Sequence, residues 1–225
     1  MNNPEWIWNQ SKPDLLANRI DELRSLLRGQ DPEQLAERTG STYQRTGKAA
    51  GEFHLQFWEH YIGIKIPEFV VINLKSGQEM SNSISLATLF YYFVSCDGEH
   101  PSGQWISFSD LPDGRFYNRA FQGYTGGQLA QAFSNDYDLF CQAAEKLGGK
   151  RVYLLGDAGF EFPVLPLVTL LLLTWRGDED FNATYQILFD SAVSHHLPTD
   201  ACAIIGSNLT QRMIVKLEMF NENRN

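Results

Sequence analysis

The stretch Val164-Leu165-Pro166-Leu167-Val168-Thr169-Leu170-Leu171-Leu172-Leu173-Thr174-Trp175 is the most apolar part of the chain. A helix that crosses a bilayer needs about 20 apolar residues. This stretch is shorter, and Pro166 interrupts it. A short apolar run bounded by turn residues is typical of a strand that is buried on both faces. We therefore predict a buried strand here, within a strand region over residues 160–175.

The segments on either side of this strand carry turn and helix signals. Before it, residues 151–155 have the pattern of a strand and residues 156–159 that of a hairpin turn. After it, apolar residues at helical spacing predict two helices, over 183–195 and 198–220.

The remaining elements alternate in type. We predict helices over 12–28, with Gly29 as C-cap, and over 32–38. Alternating apolar and polar residues predict two or three antiparallel strands within 53–74. Residues 83–96 are apolar on most sides, which predicts a buried central helix. A strand over 105–108 and two or three short helices over 116–147 complete the pattern.

This order of elements indicates an α+β fold, with a mostly antiparallel sheet packed with helices, because regular βαβ alternation is missing. The sequence contains no internal repeat and no Pro- or Ser-rich linker. We expect a helical N-terminal arm over residues 1–40 and a single α+β domain over residues 41–225.

The charge balance argues against nucleic-acid binding. The formal net charge is −9, from 18 basic and 27 acidic residues, and the longest basic cluster is Lys150-Arg151. Nucleic-acid binders use Lys and Arg to replace the counterions on phosphate. We expect no nucleic-acid partner and no attachment to an anionic membrane.

Three cysteines, Cys96, Cys141 and Cys202, lie far apart in the sequence, and no CxxC pair is present. An odd number of widely spaced cysteines argues against a disulfide framework. Because Cys96 and Cys202 lie among apolar neighbours, we expect buried, reduced thiols. The cysteine pattern therefore favours a cytoplasmic protein.

The histidines predict no metal site. His54 and His60 would share a face if one strand covered both, but they would lie about 20 Å apart along it, too far for one ion. The pair His195-His196 falls at a predicted helix C-terminus, where a cation suits the helix dipole. No dinucleotide fingerprint, phosphate loop or nucleophile elbow is present, so the cofactor is unknown.

The most specific cluster is Trp175-Arg176-Gly177-Asp178-Glu179-Asp180-Phe181, in which three carboxylates follow the buried strand. Such carboxylates can bind a hard cation such as Mg²⁺, or one can act as a general base. Alternatively, Asp178 or Asp180 caps the next helix, and the other carboxylates favour its N-terminus. Asp157, at the preceding turn, is a possible partner. The candidate binding residues are Asp157, Trp175, Asp178, Glu179 and Asp180.

Several motifs resemble those of the family known as domain of unknown function 3786, over roughly residues 43–216. The most specific is the cluster from Trp175 to Phe181. The other matching pieces are Gly103-Gln104-Trp105-Ile106-Ser107-Phe108, Phe116-Tyr117-Asn118-Arg119-Ala120-Phe121, Leu147-Gly148-Gly149, Gly156-Asp157, Pro163-Val164-Leu165-Pro166, Ile187-Leu188-Phe189-Asp190 and His196-Leu197-Pro198.

The resemblance implies a bacterial or archaeal protein of unassigned activity. It also implies that some relatives are fused to cysteine-rich iron–sulfur modules of corrinoid-linked metabolism. The three cysteines of this sequence cannot supply a four-thiolate site.

Two functions fit these observations. The first is a non-catalytic domain that binds a small ligand or acts as an accessory protein that binds a partner, because the chain is acidic and aromatic and lacks a complete catalytic signature. The alternative is a metal-dependent enzyme that uses the acidic cluster Asp178-Glu179-Asp180. Whether the protein is an enzyme, and which small molecule or protein it binds, stay open.

The charge makes a direct prediction. The protein should not shift duplex DNA or RNA in a gel at physiological salt, because the basic residues form no stripe. Micromolar, salt-dependent binding in that assay would contradict the exclusion of nucleic acid.

Overall fold

The computed structural model describes residues 13–153 and 155–222. The chain divides into two compact units. The first contains the chain up to Pro101 together with residues 164–168 and 192–204, and the second contains residues 102–163, 169–191 and 205 onward.

Three helices of the first unit begin and end at the expected signals. They are α1 (Pro13–Leu27), α2 (Pro32–Thr39) and α3 (Ser83–Ser95). The side chain of Asp31 caps α2, and Gly40 ends α2 in the left-handed conformation that glycine adopts without strain. The predicted boundaries of all three helices are confirmed to within a residue or two, apart from Lys12, which lies outside the described residues.

Helix α3 is the buried helix of this unit. Asn82 caps it by accepting a hydrogen bond from the Ser85 backbone N–H, at 2.9 Å. Its rings reach the neighbouring sheet, where Phe93 contacts Phe53 at 5.2 Å between ring centroids. The prediction of a central helix that is buried on most sides is confirmed.

The first sheet is an antiparallel meander of four strands in sequence order. These are β1 (Thr42–Arg45), β2 (Gly51–Phe57), β3 (His60–Ile66) and β4 (Val70–Asn73). On β2 the apolar side chains are buried, and the polar side chains between them face the other way. A two-residue turn joins β2 to β3, so His54 and His60 lie on different strands.

The second unit combines short helices with most of a five-stranded sheet, of which residues 164, 165 and 168 belong to the first unit. Its helices are α4 (Gly114–Tyr124), α5 (Gly126–Phe133) and α6 (Tyr137–Lys146), and α7 (Thr199–Glu222) begins in the first unit and continues in the second. A 3-10 turn at Phe108–Asp110 precedes α4, and another at Ser191–His195 precedes α7.

The second sheet has the strand order β5-β9-β8-β7-β6. Its members are β5 (Trp105–Ser107), β6 (Lys150–Val152), β7 (Ala158–Leu165), β8 (Val168–Trp175) and β9 (Thr184–Asp190). The apolar residues 164–175 thus form the end of β7, a turn at Pro166 and the whole of β8. Leu170 to Leu173 are all buried, as expected for a strand covered on both faces.

The predicted helix over 183–195 is wrong. Residues Thr184–Asp190 form β9, which lies between β8 and β5 and pairs with both. A central strand is apolar on both faces, so its sequence lacks clean alternation and resembles a buried helix. The helix predicted to follow it is confirmed as α7.

The two antiparallel sheets packed with helices, and the N-terminal helix, confirm the α+β prediction. The division into an arm over 1–40 and one domain over 41–225 stays a prediction. Within the described ranges, none of the helices combines the length and the apolar character that crossing a membrane requires.

The burial of α3 predicts a large effect for one substitution. Phe90 has no exposed surface and packs against Phe69. Phe90→Ala should lower the free energy of unfolding by about 3–5 kcal/mol in denaturant melts, because it removes the ring and leaves a cavity. Leu26→Ala in α1 is the control, since Leu26 is 55 % exposed and its truncation should cost little. Equal losses in the two variants would show that α3 is not the core helix.

Candidate functional site

The candidate residues named from the sequence lie at one end of the second sheet. Strand β6 ends, β7 begins, β8 ends and β9 begins at this end, because each strand runs antiparallel to its neighbour. Loop residues follow these strand ends at 153 and 155–157, between β6 and β7, and at 176–183, between β8 and β9. Asp157 belongs to the first loop, and Asp178, Glu179 and Asp180 belong to the second.

Asp178 shapes its own loop. Its Oδ1 accepts hydrogen bonds from the backbone N–H groups of Asp180, at 2.9 Å, and Phe181, at 2.8 Å. These bonds form an Asx-type turn. The prediction that Asp178 or Asp180 caps a following helix is wrong, because β9 follows the loop. The side chain of Asp178 accepts backbone hydrogen bonds within a turn, and no helix follows for it to cap.

Asp157 ties the two loops together. Its Oδ2 accepts a hydrogen bond from the Arg176 backbone N–H at 2.7 Å, and its own N–H donates to the Thr174 carbonyl at 2.9 Å. Hydrogen bonds to an ionised carboxylate are stronger than neutral ones. The link therefore fixes the position of the loop after β8 against the loop before β7.

Tyr137 supports the same region from α6. Its hydroxyl donates to the Asp157 carbonyl at 3.0 Å and accepts from Arg151 Nη2 at 2.9 Å. The guanidinium carbon of Arg176 lies 3.7 Å from the centre of the Tyr137 ring, a close cation–π contact. Both arginines are thus held against one tyrosine.

Four apolar side chains are exposed beside these carboxylates. They are Tyr153, which is 88 % exposed, Phe181, which is 74 % exposed, and the half-exposed Leu155 and Trp175. We call these four residues, together with Asp157, Asp178, Glu179 and Asp180, the aromatic–acidic surface. Its four carboxylates are exposed to solvent.

The aromatic–acidic surface does not have the form of a preformed metal centre. Over residues 13–153 and 155–222, no group of three or more His, Cys, Asp and Glu side chains is arranged to hold a metal ion. The acidic loop presents adjacent carboxylates to solvent, and Asp178 is occupied with its turn. The loop instead places negatively charged side chains beside exposed aromatic rings.

The first unit contains a cysteine beside a histidine. Such a pair can act as a catalytic nucleophile and its base. Cys96 Sγ is 3.3 Å from His196 Nδ1 and donates to the Arg38 carbonyl at 2.8 Å. An adjacent imidazole can activate a cysteine, but burial raises the pKa of the Cys96 thiol above its usual range. Neither residue reaches the surface. The pair therefore serves the packing of the core.

Sequence reasoning missed one carboxylate with a clear role. Asp190, at the end of β9, is buried and accepts hydrogen bonds from the Ser102 N–H, the Ser102 hydroxyl and the Gly103 N–H, at 2.9, 3.1 and 2.7 Å. These bonds compensate for the burial of the charge and fix the turn that leads into β5. In the sequence, the only indication of this role is that the aspartate directly ends an apolar run.

A second pair that the sequence did not connect is His195 and Asp97. The imidazole Nδ1 lies 2.7 Å from Asp97 Oδ2, and both side chains are about half exposed. The hydrogen bond between them raises the pKa of His195 above 6.5 and lowers the pKa of Asp97 below 3.8. Both side chains of the pair are therefore charged at mildly acidic pH.

This pair predicts a pH-dependent contribution to stability. The His195 contribution is complete below 6.5, its ordinary pKa, and disappears as pH rises through the raised value in the folded chain. The Asp97 contribution is present above 3.8 and disappears as pH falls through the lowered value. His195→Gln should therefore lower the melting temperature more at about pH 5.5 than at about pH 8.5. Asp97→Asn is the matched variant and should show the same difference, whereas a loss that is independent of pH would contradict the ion pair.

The comparisons with known proteins give a family and no further relative. No curated protein and no solved structure matches the chain. A family model described as "Domain of unknown function (DUF3786)" matches residues 31–212, most of the chain, and this range includes the whole aromatic–acidic surface. The resemblance seen in the motifs is thereby confirmed, and the chain belongs to the DUF3786 family.

Proposed function

We propose that the protein is a non-catalytic accessory protein whose aromatic–acidic surface binds a basic segment of a partner protein. One observation carries this proposal: four large apolar side chains are exposed at the same sheet end as four carboxylates. Exposed aromatic side chains beside charged groups are typical of protein interfaces.

The aromatic side chains would supply the binding energy. Tyr, Trp and Phe bury a large area with few rotatable bonds, and they dominate interface energetics for this reason. Tyr153 and Phe181 are mostly exposed, so most of their apolar surface is free to be buried by a partner. A partner that contributes aliphatic or aromatic side chains would cover them.

The charges would select the partner. The surface carries Asp157, Asp178, Glu179 and Asp180, and the guanidinium of the adjacent Arg176 already stacks on Tyr137. A Lys- or Arg-rich segment complements this field, and an acidic segment would be repelled. The overall charge of −9 acts in the same direction at long range.

The loops are held in place before any partner arrives. Asp157 links both loops, Asp178 closes its own turn, and Asn135 accepts a hydrogen bond from the Ala183 N–H at 2.8 Å. Ordering a mobile loop on binding reduces affinity. A surface supported by these bonds loses little entropy when it binds.

The thiols support the compartment that we propose. Cys96, Cys141 and Cys202 are all free and buried. Reduced cysteines support a reducing compartment, so we place the interaction in the cytoplasm.

The test is a selection with a displayed random-peptide library on the full-length protein, followed by affinity measurement on individual peptides. We expect enriched peptides that combine Lys or Arg with aromatic or aliphatic residues and that bind more weakly at high salt. The double variant Tyr153→Ser with Phe181→Ser should weaken their binding at least tenfold, which corresponds to about 1.4 kcal/mol.

Phe116→Ser is the matched control, because Phe116 is 83 % exposed but lies on α4. Its binding should equal that of the unmodified protein. Enrichment of acidic peptides, or equal losses in the control and the double variant, would refute the proposal. Calorimetric binding of Mg²⁺ or Mn²⁺ that disappears in Asp178→Asn would favour the metal-dependent enzyme instead.

A further inference from the structure

Strand β6 forms one edge of the second sheet. It covers Lys150–Val152 and pairs with β7 on one side only. In an antiparallel edge strand, alternate residues turn their backbone N–H and C=O groups away from the sheet. Over residues 150–153, no hydrogen bond to such an outward group occurs among the described residues. The backbone of β6 is therefore open to pairing with a further extended segment.

The opposite edge of the sheet is partly closed. It is formed by β5, where the Ser107 backbone N–H donates to Asp110 Oδ2 at 3.0 Å. A side chain of the same chain thus takes a backbone group that a further strand would need. Strand β5 also lies on the far side of the sheet from β6, with β9, β8 and β7 between them. Of the two edges, β6 is the one better suited to a further strand.

Strand β6 leads directly into the aromatic–acidic surface. Tyr153 follows its last residue and is 88 % exposed, and Asp157 lies in the same connection to β7. Neighbouring strands of a sheet lie about 4.8 Å apart. A segment paired with β6 would therefore meet the Tyr153 ring and then reach the carboxylates at this end of the sheet.

The conformation of β6 is fixed by contacts on both faces of the strand. Val152 packs against a buried cluster that contains Leu173. Gly159, opposite Val152 on β7, leaves room for this contact, because a Cβ atom there would meet Val152 Cγ2 at 3.2 Å. On the other face, Arg151 Nη2 donates to the Tyr137 hydroxyl at 2.9 Å. A partner strand would thus pair with an edge that is already ordered, which reduces the entropy cost of binding.

We propose that the basic segment bound by the aromatic–acidic surface adds to the second sheet as a further strand along β6. This inference rests on the function proposed above and specifies how the partner binds. Backbone hydrogen bonds to β6 supply affinity for an extended segment, and the side chains that contact Tyr153 and the carboxylates supply the selection.

The charges of β6 divide the partner segment into two parts. Lys150 and Arg151 belong to the strand, so a Lys or Arg directly opposite them would be repelled. The carboxylates of the aromatic–acidic surface lie past the end of β6, where basic side chains are attracted. The segment therefore carries β-branched or aromatic residues where it pairs with β6, and Lys or Arg in the part that extends past Tyr153.

The same two basic residues disfavour a second copy of this chain as the occupant. Antiparallel pairing of β6 with β6 of another copy would bring Lys150 and Arg151 of the two chains together. Like charges that face each other across a ladder are destabilising, and lysine on an edge strand commonly prevents such pairing. The edge is therefore suited to a strand of a different protein.

The test uses the full-length protein and the tightest-binding basic peptide from the library selection. Synthetic copies of this peptide each carry one N-methylated amide, at successive positions. Because alternate residues of a strand donate to one neighbour, N-methylation should weaken binding at least about tenfold at every second position of the pairing part. The positions between them, and the basic part, are the matched controls, where the affinity should stay within about threefold of that of the parent peptide.

Hydrogen exchange of the protein locates the pairing. With saturating peptide, the outward-facing amides of β6 should exchange at least about tenfold more slowly, whereas Trp105 and Ile106 of β5 should keep their rates. Equal losses at all N-methylated positions, or unchanged exchange in β6, would overturn the strand addition. Binding that still depends on Tyr153 and Phe181 would then leave the proposed function standing. A selection that enriches no basic peptide would refute that function, and the strand addition with it.

Discussion

The insertion of β9 between β8 and β5 is the interaction on which the second unit depends. The β8–β9 ladder runs from Leu170, opposite Phe189, to Trp175, opposite Thr184. Leu170 to Leu173 are buried along it, and each fully buried leucine stabilises the folded state by about 1.5–3 kcal/mol. The register of this ladder determines which side chains of β9 are buried, because a slip of one residue would turn every side chain of β9 to the opposite face. It also decides where the sheet ends and its loops begin.

Much of the fold could be predicted because most elements have a local cause. Side-chain caps mark the starts of α2 and α3, Gly40 marks the end of α2, and alternation marks β2. Strand β9 could not be predicted in this way, because whether an apolar run becomes a strand or a helix depends on the neighbours that it finds. Tyr185, Ile187 and Phe189 do alternate, but the buried Leu188 and Asp190 between and after them obscure the period.

The candidate site was also predictable only in part. Features with a local cause in the sequence could be found, and contacts between residues distant in sequence could not. A run of three carboxylates is visible in the sequence, so Asp178, Glu179 and Asp180 were found. The link from Asp157 to Arg176 and the bonds of Asp190 to Ser102 join residues that are distant in sequence. The exposure of Tyr153 and Phe181 is equally invisible, because the sequence alone places aromatic residues in the core.

The stability of the fold does not explain why the rings of the aromatic–acidic surface are exposed. Exposed rings at a sheet end contribute little to folding and invite association between copies of the same chain. Two copies that met through this surface would bring four carboxylates from each chain together, which like-charge repulsion opposes. The same charges that would attract the proposed basic segment therefore discourage self-association. Rings that the fold leaves exposed are consistent with the partner that we propose, and the carboxylates around them would select a basic segment.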